Sequence, residues 1–152
     1  MAYPPLVSYK SEMEYREHYE RVYCRYGIVT FDGITVRFRK SQFRHAFYES
    51  SRRDGKKDKF SNNRAARIDW IKAALEDSES ERYQGWDRER GRYSNSRRVA
   101  IVMENYVVII DLTSPTTGEF VTAFADRGIR APGRPRTIDQ IRQAPIWEQK
   151  NR

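Results

Sequence analysis

The sequence predicts an α+β domain in which helices come first and an antiparallel meander of strands follows. Three observations carry that prediction. Apolar residues recur at helical spacing through the first half of the chain. After position 98 the pattern changes to short β-branched runs separated by turn residues. The length, 152 residues, is that of one compact domain. Residues 1–152 are read as that single domain: an N-terminal helix (1–27), a hairpin and two helices (28–75), a charged loop (76–97), the meander (98–126) and a C-terminal tail (127–152).

Residues 12–26 read as a helix because Tyr15, Tyr19, Val22, Tyr23 and Tyr26 form one stripe on a 3.6-residue period. Gly27 suits the C-terminal cap, and Cys24 reads as a small core or boundary residue. Asp32 and Gly33 lie between the β-branched runs 28–31 and 34–38, a strong hairpin signal. Ser41 is expected to cap a short helix whose apolar face is Phe43, Ala46 and Phe47. Beyond the charged stretch 51–59, Asn62 or Asn63 is expected to cap a second helix reaching Leu75. Its inner face is Ile68, Ile71 and Leu75, with Trp70 beside them.

Residues 76–97 hold many charges and few apolar side chains, so they read as a long connection, either mobile or functional. Runs 99–103 and 106–110 flank a tight turn at Glu104 and Asn105. A turn-rich loop is expected at 113–118 and a third strand at 119–125. Both faces of the first two strands are apolar, which makes them central and covered. A Gly/Pro/Arg loop, 127–136, leads to a last helical piece at 137–143, with Trp147 docking it.

The 29 Lys and Arg exceed the 21 Asp and Glu, giving a formal charge of +8. Arginine dominates, and its planar fork suits phosphate. Such a surface attracts polyanions, and rings placed among the cations point to nucleic acid, RNA above all. Basicity for solubility alone is the plainer alternative. No apolar run approaches the ~18 residues of a membrane span, and residues 1–9 carry no secretory pattern. Cys24 is the single cysteine and the two histidines lie apart, so neither a disulfide nor a zinc set is expected. These points imply a cytoplasmic protein with no cofactor and no metal.

His45 is the most informative residue. At ~100° per residue it lies about 200° from Phe43, off the apolar face of its helix. Its neighbours in sequence are Arg37, Arg39, Lys40, Arg44, Arg52 and Arg53. A cationic setting lowers a histidine's affinity for its proton and keeps neutral imidazole available as a base. His18, on a charged helix face with Glu14 and Glu17, ranks lower. RNA cleavage without a metal needs a base, an acid and cations or hydroxyls at the phosphorane. No dense carboxylate cluster of the two-metal kind is present; Asp111 ends a strand without partner carboxylates in sequence.

In a plain meander the strands bearing Arg98 and Thr122 flank the middle one, bringing these side chains within reach. Arg97 enters the sheet beside Arg98. Arg64 and Arg67, at i and i+3, share a helix face that could clamp phosphate. Tyr83, Trp86 and Tyr93 among Arg82, Arg88, Arg90 and Arg92 suit single-stranded bases. An exposed histidine, an edge arginine and a strand threonine are the ordinary alternatives.

The runs Phe43-Arg44-His45-Ala46-Phe47 and Arg64-Ala65-Ala66-Arg67-Ile68-Asp69-Trp70-Ile71 resemble the helical half of the phage and toxin ribonucleases of the barnase–EndoU–colicin–RelE group. The later Phe120-Val121-Thr122-Ala123-Phe124 and the final Pro145-Ile146-Trp147 resemble that group's closing strand and tail. The resemblance covers residues 34–147, except that 76–97 has no counterpart. It implies N-terminal helices packed on a mainly antiparallel twisted sheet of four strands or more. It also implies metal-independent endoribonuclease activity, often on tRNA and often restrained by a cognate inhibitor or immunity protein. Carried over residue by residue, the helix histidine is His45, the basic residue opening the sheet is Arg98 or Arg97, and the closing-strand hydroxyl is Thr122. Lys40, Arg44, Arg64, Arg67, Tyr93, Arg97 and Phe124 are the expected substrate contacts. The hairpin 28–38 and the tyrosine helix depart from the group. Two other functions compete: a non-catalytic nucleic-acid-binding protein of a phage or mobile element, and an ADP-ribosyltransferase-like toxin. The latter's Arg, Ser-Thr-Ser and Glu series is not found here.

Overall fold

A computed structural model describes residues 3–50, 56–87, 89–126 and 137–149. Helix α1 (Glu12–Tyr19) begins at Ser11, whose backbone is extended and whose hydroxyl accepts the Glu14 N–H at 3.3 Å. The same hydroxyl meets the Glu14 carboxylate at 3.1 Å, a capping arrangement of Ser with Glu three residues on. Residues Glu20–Cys24 continue as one wider, π-type turn. That turn splits the predicted stripe. Tyr15, Tyr19 and Tyr23 are buried and Val22 is half-buried, whereas Tyr26 is 85% exposed because the wide turn rotates the chain off the 3.6-residue period. Gly27 ends the helix at φ +69°, and a Cβ there would lie 2.3 Å from the Val36 carbonyl oxygen. Both facts require glycine.

Strands β1 (Ile28–Val29) and β2 (Thr35–Arg37) form the expected antiparallel hairpin around Asp32 and Gly33. They are shorter than the apolar runs suggest. The Thr30 hydroxyl donates to Asp32 and accepts the Ile34 N–H, so these residues close a loop instead of pairing. Helix α2 (Gln42–Phe47) buries Phe43, Ala46 and Phe47 as predicted. Ser41 is not its side-chain cap, since its backbone is already helical and its hydroxyl bonds no helix N–H. Strands β3 (Tyr48–Glu49) and β4 (Lys59–Phe60) make a separate two-stranded ribbon. Arg52 and Arg53 lie outside the described residues, as do Arg88 and the loop 127–136.

The predicted second helix is two. Helix α3 (Asn62–Ala65) is capped by Ser61, whose hydroxyl accepts the Arg64 N–H at 3.1 Å, and not by Asn62 or Asn63. A break at Arg67 (φ −95°, ψ 20°) precedes α4 (Ile68–Glu76), which buries Ile68, Ile71, Ala74 and Leu75.

The charged stretch 76–97 is largely sheet. Strand β5 (Glu81–Asp87) and the long β6 (Arg92–Met103) pair antiparallel across it. Its polar sequence follows from its position. β5 is the last strand of the large sheet, and its outer side is satisfied by the tail, through Gln84 N–H to Pro145 oxygen (2.8 Å) and Trp147 N–H to Arg82 oxygen (3.0 Å). Hydrogen bonding holds such a strand without a hydrophobic run. The hairpin turns where the Asp87 carboxylate accepts the N–H groups of Glu89 and Arg90, and Gly91 takes φ +63°.

Strand β7 (Tyr106–Ser114) follows the predicted turn at Glu104 and Asn105, and β8 (Thr117–Ala125) follows a turn at Pro115 and Thr116, so the loop expected at 113–118 is nearly absent. Helix α5 (Thr137–Arg142) comes last. The sheet order is β1-β2-β8-β7-β6-β5. β6, β7 and β8 form the expected three-strand meander, and β5, in the stretch expected to be a loop, adds a fourth antiparallel strand. β1 and β2 enlarge it to six strands, and β2 runs parallel to β8, pairing Thr35 with Thr117, so the sheet is mixed. One face carries the main core with the N-terminal helices; the other carries a small cluster in which Ala100, Val102 and Val107 meet Ile138 of α5. Among the described residues no helix is long and apolar enough to cross a membrane.

Candidate active site

β2 pairs only with the first residues of β8, through Glu119. Beyond that point the edge of β8 is covered by side chains. Gln42 on α2 donates to the Val121 carbonyl at 2.7 Å, and Arg64 on α3 donates to the Ala123 carbonyl at 3.0 Å. The second arginine contact, 3.3 Å to the Thr122 hydroxyl oxygen, links the helical half to the far face of the sheet. A β-bulge between Ile109–Thr122 and Ile110–Phe120 leaves Val121 as the extra residue, where it lines the far face with Thr122.

His45, Arg98 and Thr122 line one cavity of about 360 Å³ on that far face. Tyr93 lines it too, with Trp86, Gln84 and Gly85 from β5 and Gln140 and Ile141 from α5. The convergence expected of a plain meander is therefore seen, with α2 bringing the histidine around the edge of β8. His45 is exposed, yet its proton affinity is lowered, first by partial desolvation and then by Lys57, Arg64 and Arg98. The direction is the expected one. Among the described residues the cations responsible come from other elements, and not from Arg37, Arg39, Lys40 or Arg44; Arg52 and Arg53 lie outside the described residues.

Arg98 is held by Asp111, its cross-strand partner, through Nε to Oδ1 at 2.7 Å and Nη2 to Oδ2 at 3.2 Å. The carboxylate raises the guanidinium's already high pKa. Two of its five N–H groups are thus used to fix its plane. Gly85 makes room for its stem. A Cβ there would fall 2.4 Å from Arg98 Cγ.

The other predicted contacts divide. Arg64 reaches Thr122, and Arg67 and Phe124 line, with Arg64, a neighbouring depression of about 550 Å³ against Ala123 and Asp126. Arg67 also donates to the Asn63 carbonyl at 2.8 Å and stacks over Trp70, so the helix break gives it a structural task. Arg97 faces a third depression with Asp87 and Glu89, each 3.8 Å away, on the other side of Trp86 and Arg98. Lys40 and Arg44 do not line the cavity: Lys40 is exposed near Glu20 (3.8 Å) and Arg44 lies 4.2 Å over the Tyr48 ring. The spacing that put them beside His45 in sequence puts them elsewhere around α2.

Sequence reasoning missed three things. The Arg98–Asp111 pair was legible, because the two residues are equidistant from the turn at Glu104 and Asn105. Lys57 and Gly85 carry no local signal. His18 is not on a charged face. It is 8% exposed, its Nδ1 2.8 Å from the Tyr9 hydroxyl and its Nε2 2.7 Å from Asp69, which ties the N-terminal segment and α1 to α4. Cys24 is half-buried, as a boundary residue should be.

No family model, curated protein or solved structure matches the chain.

Proposed function

We propose that the chain is a metal-independent endoribonuclease that cleaves RNA by attack of a ribose 2′-hydroxyl on the adjacent phosphorus. The observation that carries the reading is the meeting of His45, Arg98 and Thr122 in one cavity, with Arg64 bonded to the Thr122 hydroxyl. Neutral His45 takes the 2′-hydroxyl proton. The 2′-oxygen then bonds to phosphorus, the 5′-oxygen leaves, and it collects a proton from the imidazolium or from water. Arg98, Arg64 and the Thr122 hydroxyl face the charge that grows on the phosphorane oxygens. Among the described residues no carboxylate lines the cavity, and Asp111 beside it is engaged with Arg98, so the charged side chains facing the space are basic and suit acid–base chemistry. A phage or toxin setting, tRNA as the substrate and an inhibitor protein rest on the resemblance alone.

Incubation of the purified chain with total RNA in EDTA tests the proposal. Wild type is expected to release fragments ending in 2′,3′-cyclic phosphate, and His45→Ala is expected to release almost none. Equal cleavage by the two proteins, or salt-sensitive RNA binding without any cleavage, would replace catalysis by a binding function on the same cations.

A further inference from the structure

We propose that the groove receives one unpaired nucleobase stacked on the Trp86 ring and flanked by the perpendicular Tyr93 ring, which makes its substrate single-stranded or looped RNA; this rests on the ribonuclease reading of the same groove. Trp86 and Tyr93 are directly opposed on β5 and β6, ring centroids 5.1 Å apart and planes at 85°. They remain 51% and 40% exposed, among the most open of the large apolar side chains. Both line the cavity that holds His45, Arg98 and Thr122. An exposed aromatic pair beside cations is the arrangement that stacks bases and tolerates any sequence.

The rest of the cavity fits the same occupant. Its apolar lining comes from Ala100, Ile109, Val121, Ile141 and Ala144. An RNA duplex keeps its bases stacked inside and turns phosphates and hydroxyls outward, so it has nothing apolar to offer that surface. A splayed base has a ring face for the tryptophan and an edge for the side-chain amides of Gln84 and Gln140, which line the same space. The volume, about 360 Å³, lies near the small end of the ~300–1,000 Å³ range of ligand pockets. The base thus lies over apolar surface while the adjoining phosphate meets Arg98 and Arg64. That division matches the groove's chemistry.

The test titrates the full chain with a uniformly 2′-O-methylated single-stranded oligoribonucleotide, which lacks the attacking hydroxyl, and with its duplex. Wild type is expected to prefer the single strand. Trp86→Ala and Tyr93→Ala are each expected to weaken single-strand binding about tenfold while leaving duplex binding within about twofold. Trp86→Phe, which keeps a stacking ring, is expected to retain most of the affinity. Equal loss for both forms, or no loss from either alanine variant, overturns the stacked base. If wild type cuts natural RNA but Trp86→Ala binds single strands as tightly as wild type, stacking fails and the ribonuclease reading stands. If nothing is cut and the Trp86 effect persists, the base site stands as a binding site and the catalytic reading fails.

Discussion

On the helix side of the sheet, Tyr19, Tyr23, Phe38, Phe43 and Phe47 interlock with ring centroids 4.7–6.2 Å apart, and all five are buried in the main core. On the other side, among the described residues, Ala100, Val102 and Val107 pack with Ile138 of α5 and with the partly buried Tyr83, Ile109, Phe124 and Ile141, and the groove lies beside them. One sheet thus divides two tasks. The deep face supplies the burial that offsets chain entropy; the thin face leaves polar and aromatic groups accessible. A site laid on the thin face can hold cations and open rings that a closed core would have to neutralise.

Paired truncations sharpen that comparison. Ile71 and Ile138 are both almost fully buried, at 0% and 1% exposure. Ile71→Ala is expected to cost about 4 kcal/mol, because the aromatic core around it is too interlocked to collapse. Urea denaturation reads this as a lower midpoint at unchanged slope. His45→Ala is expected to reduce the cleavage rate ~10²–10⁴-fold with little change in that midpoint, since the side chain is exposed. A large drop in midpoint would show that the groove is part of the stabilising framework. Ile138→Ala is expected to cost about 2 kcal/mol, the low end for such a truncation, because a single short helix can settle over the gap. Equal costs at Ile71 and Ile138 would break the comparison.

The smallest effect is that of pH on stability. His45 in the folded chain binds its proton less well than the ordinary value of 6.5 implies. Between that lowered value and 6.5 the unfolded chain therefore carries more protons. Stability falls as pH drops through this window and is fully present above 6.5. Thermal melts across it should show a shallow rise with pH that His45→Ala removes. The cleavage rate should rise about tenfold per pH unit below the folded value and level off before pH 6.5.

Much of the fold was legible because local signals agreed with the tertiary result. The turn at Glu104 and Asn105, the hairpin at Asp32 and Gly33 and the face of α2 were set by turn chemistry and period. Strand β5 was not, because its partners are β6 and a tail some sixty residues later, and neither leaves a hydrophobic pattern in Glu81–Asp87. The π-type turn was hidden for a similar reason, since Tyr26 fits a 3.6-residue period that the backbone abandons at Glu20. In the groove, His45, Arg98 and Thr122 were readable from helix phase and strand order. Lys57 and Gly85 were not. Their roles arise from contacts that no spacing encodes.

The parallel pairing of β2 with β8 also bears on how the molecule comes together. Strands β5 to β8 are joined by short turns and can zip as neighbouring hairpins. β2 must instead find a strand some eighty residues away, and closing so long a loop costs entropy before any contact rewards it. Helix α2 follows directly on β2, so His45 reaches the groove only once that distant closure is made. Arg98 and Thr122 therefore meet through pairings local in sequence, whereas His45 joins them only through the longest closure in the sheet.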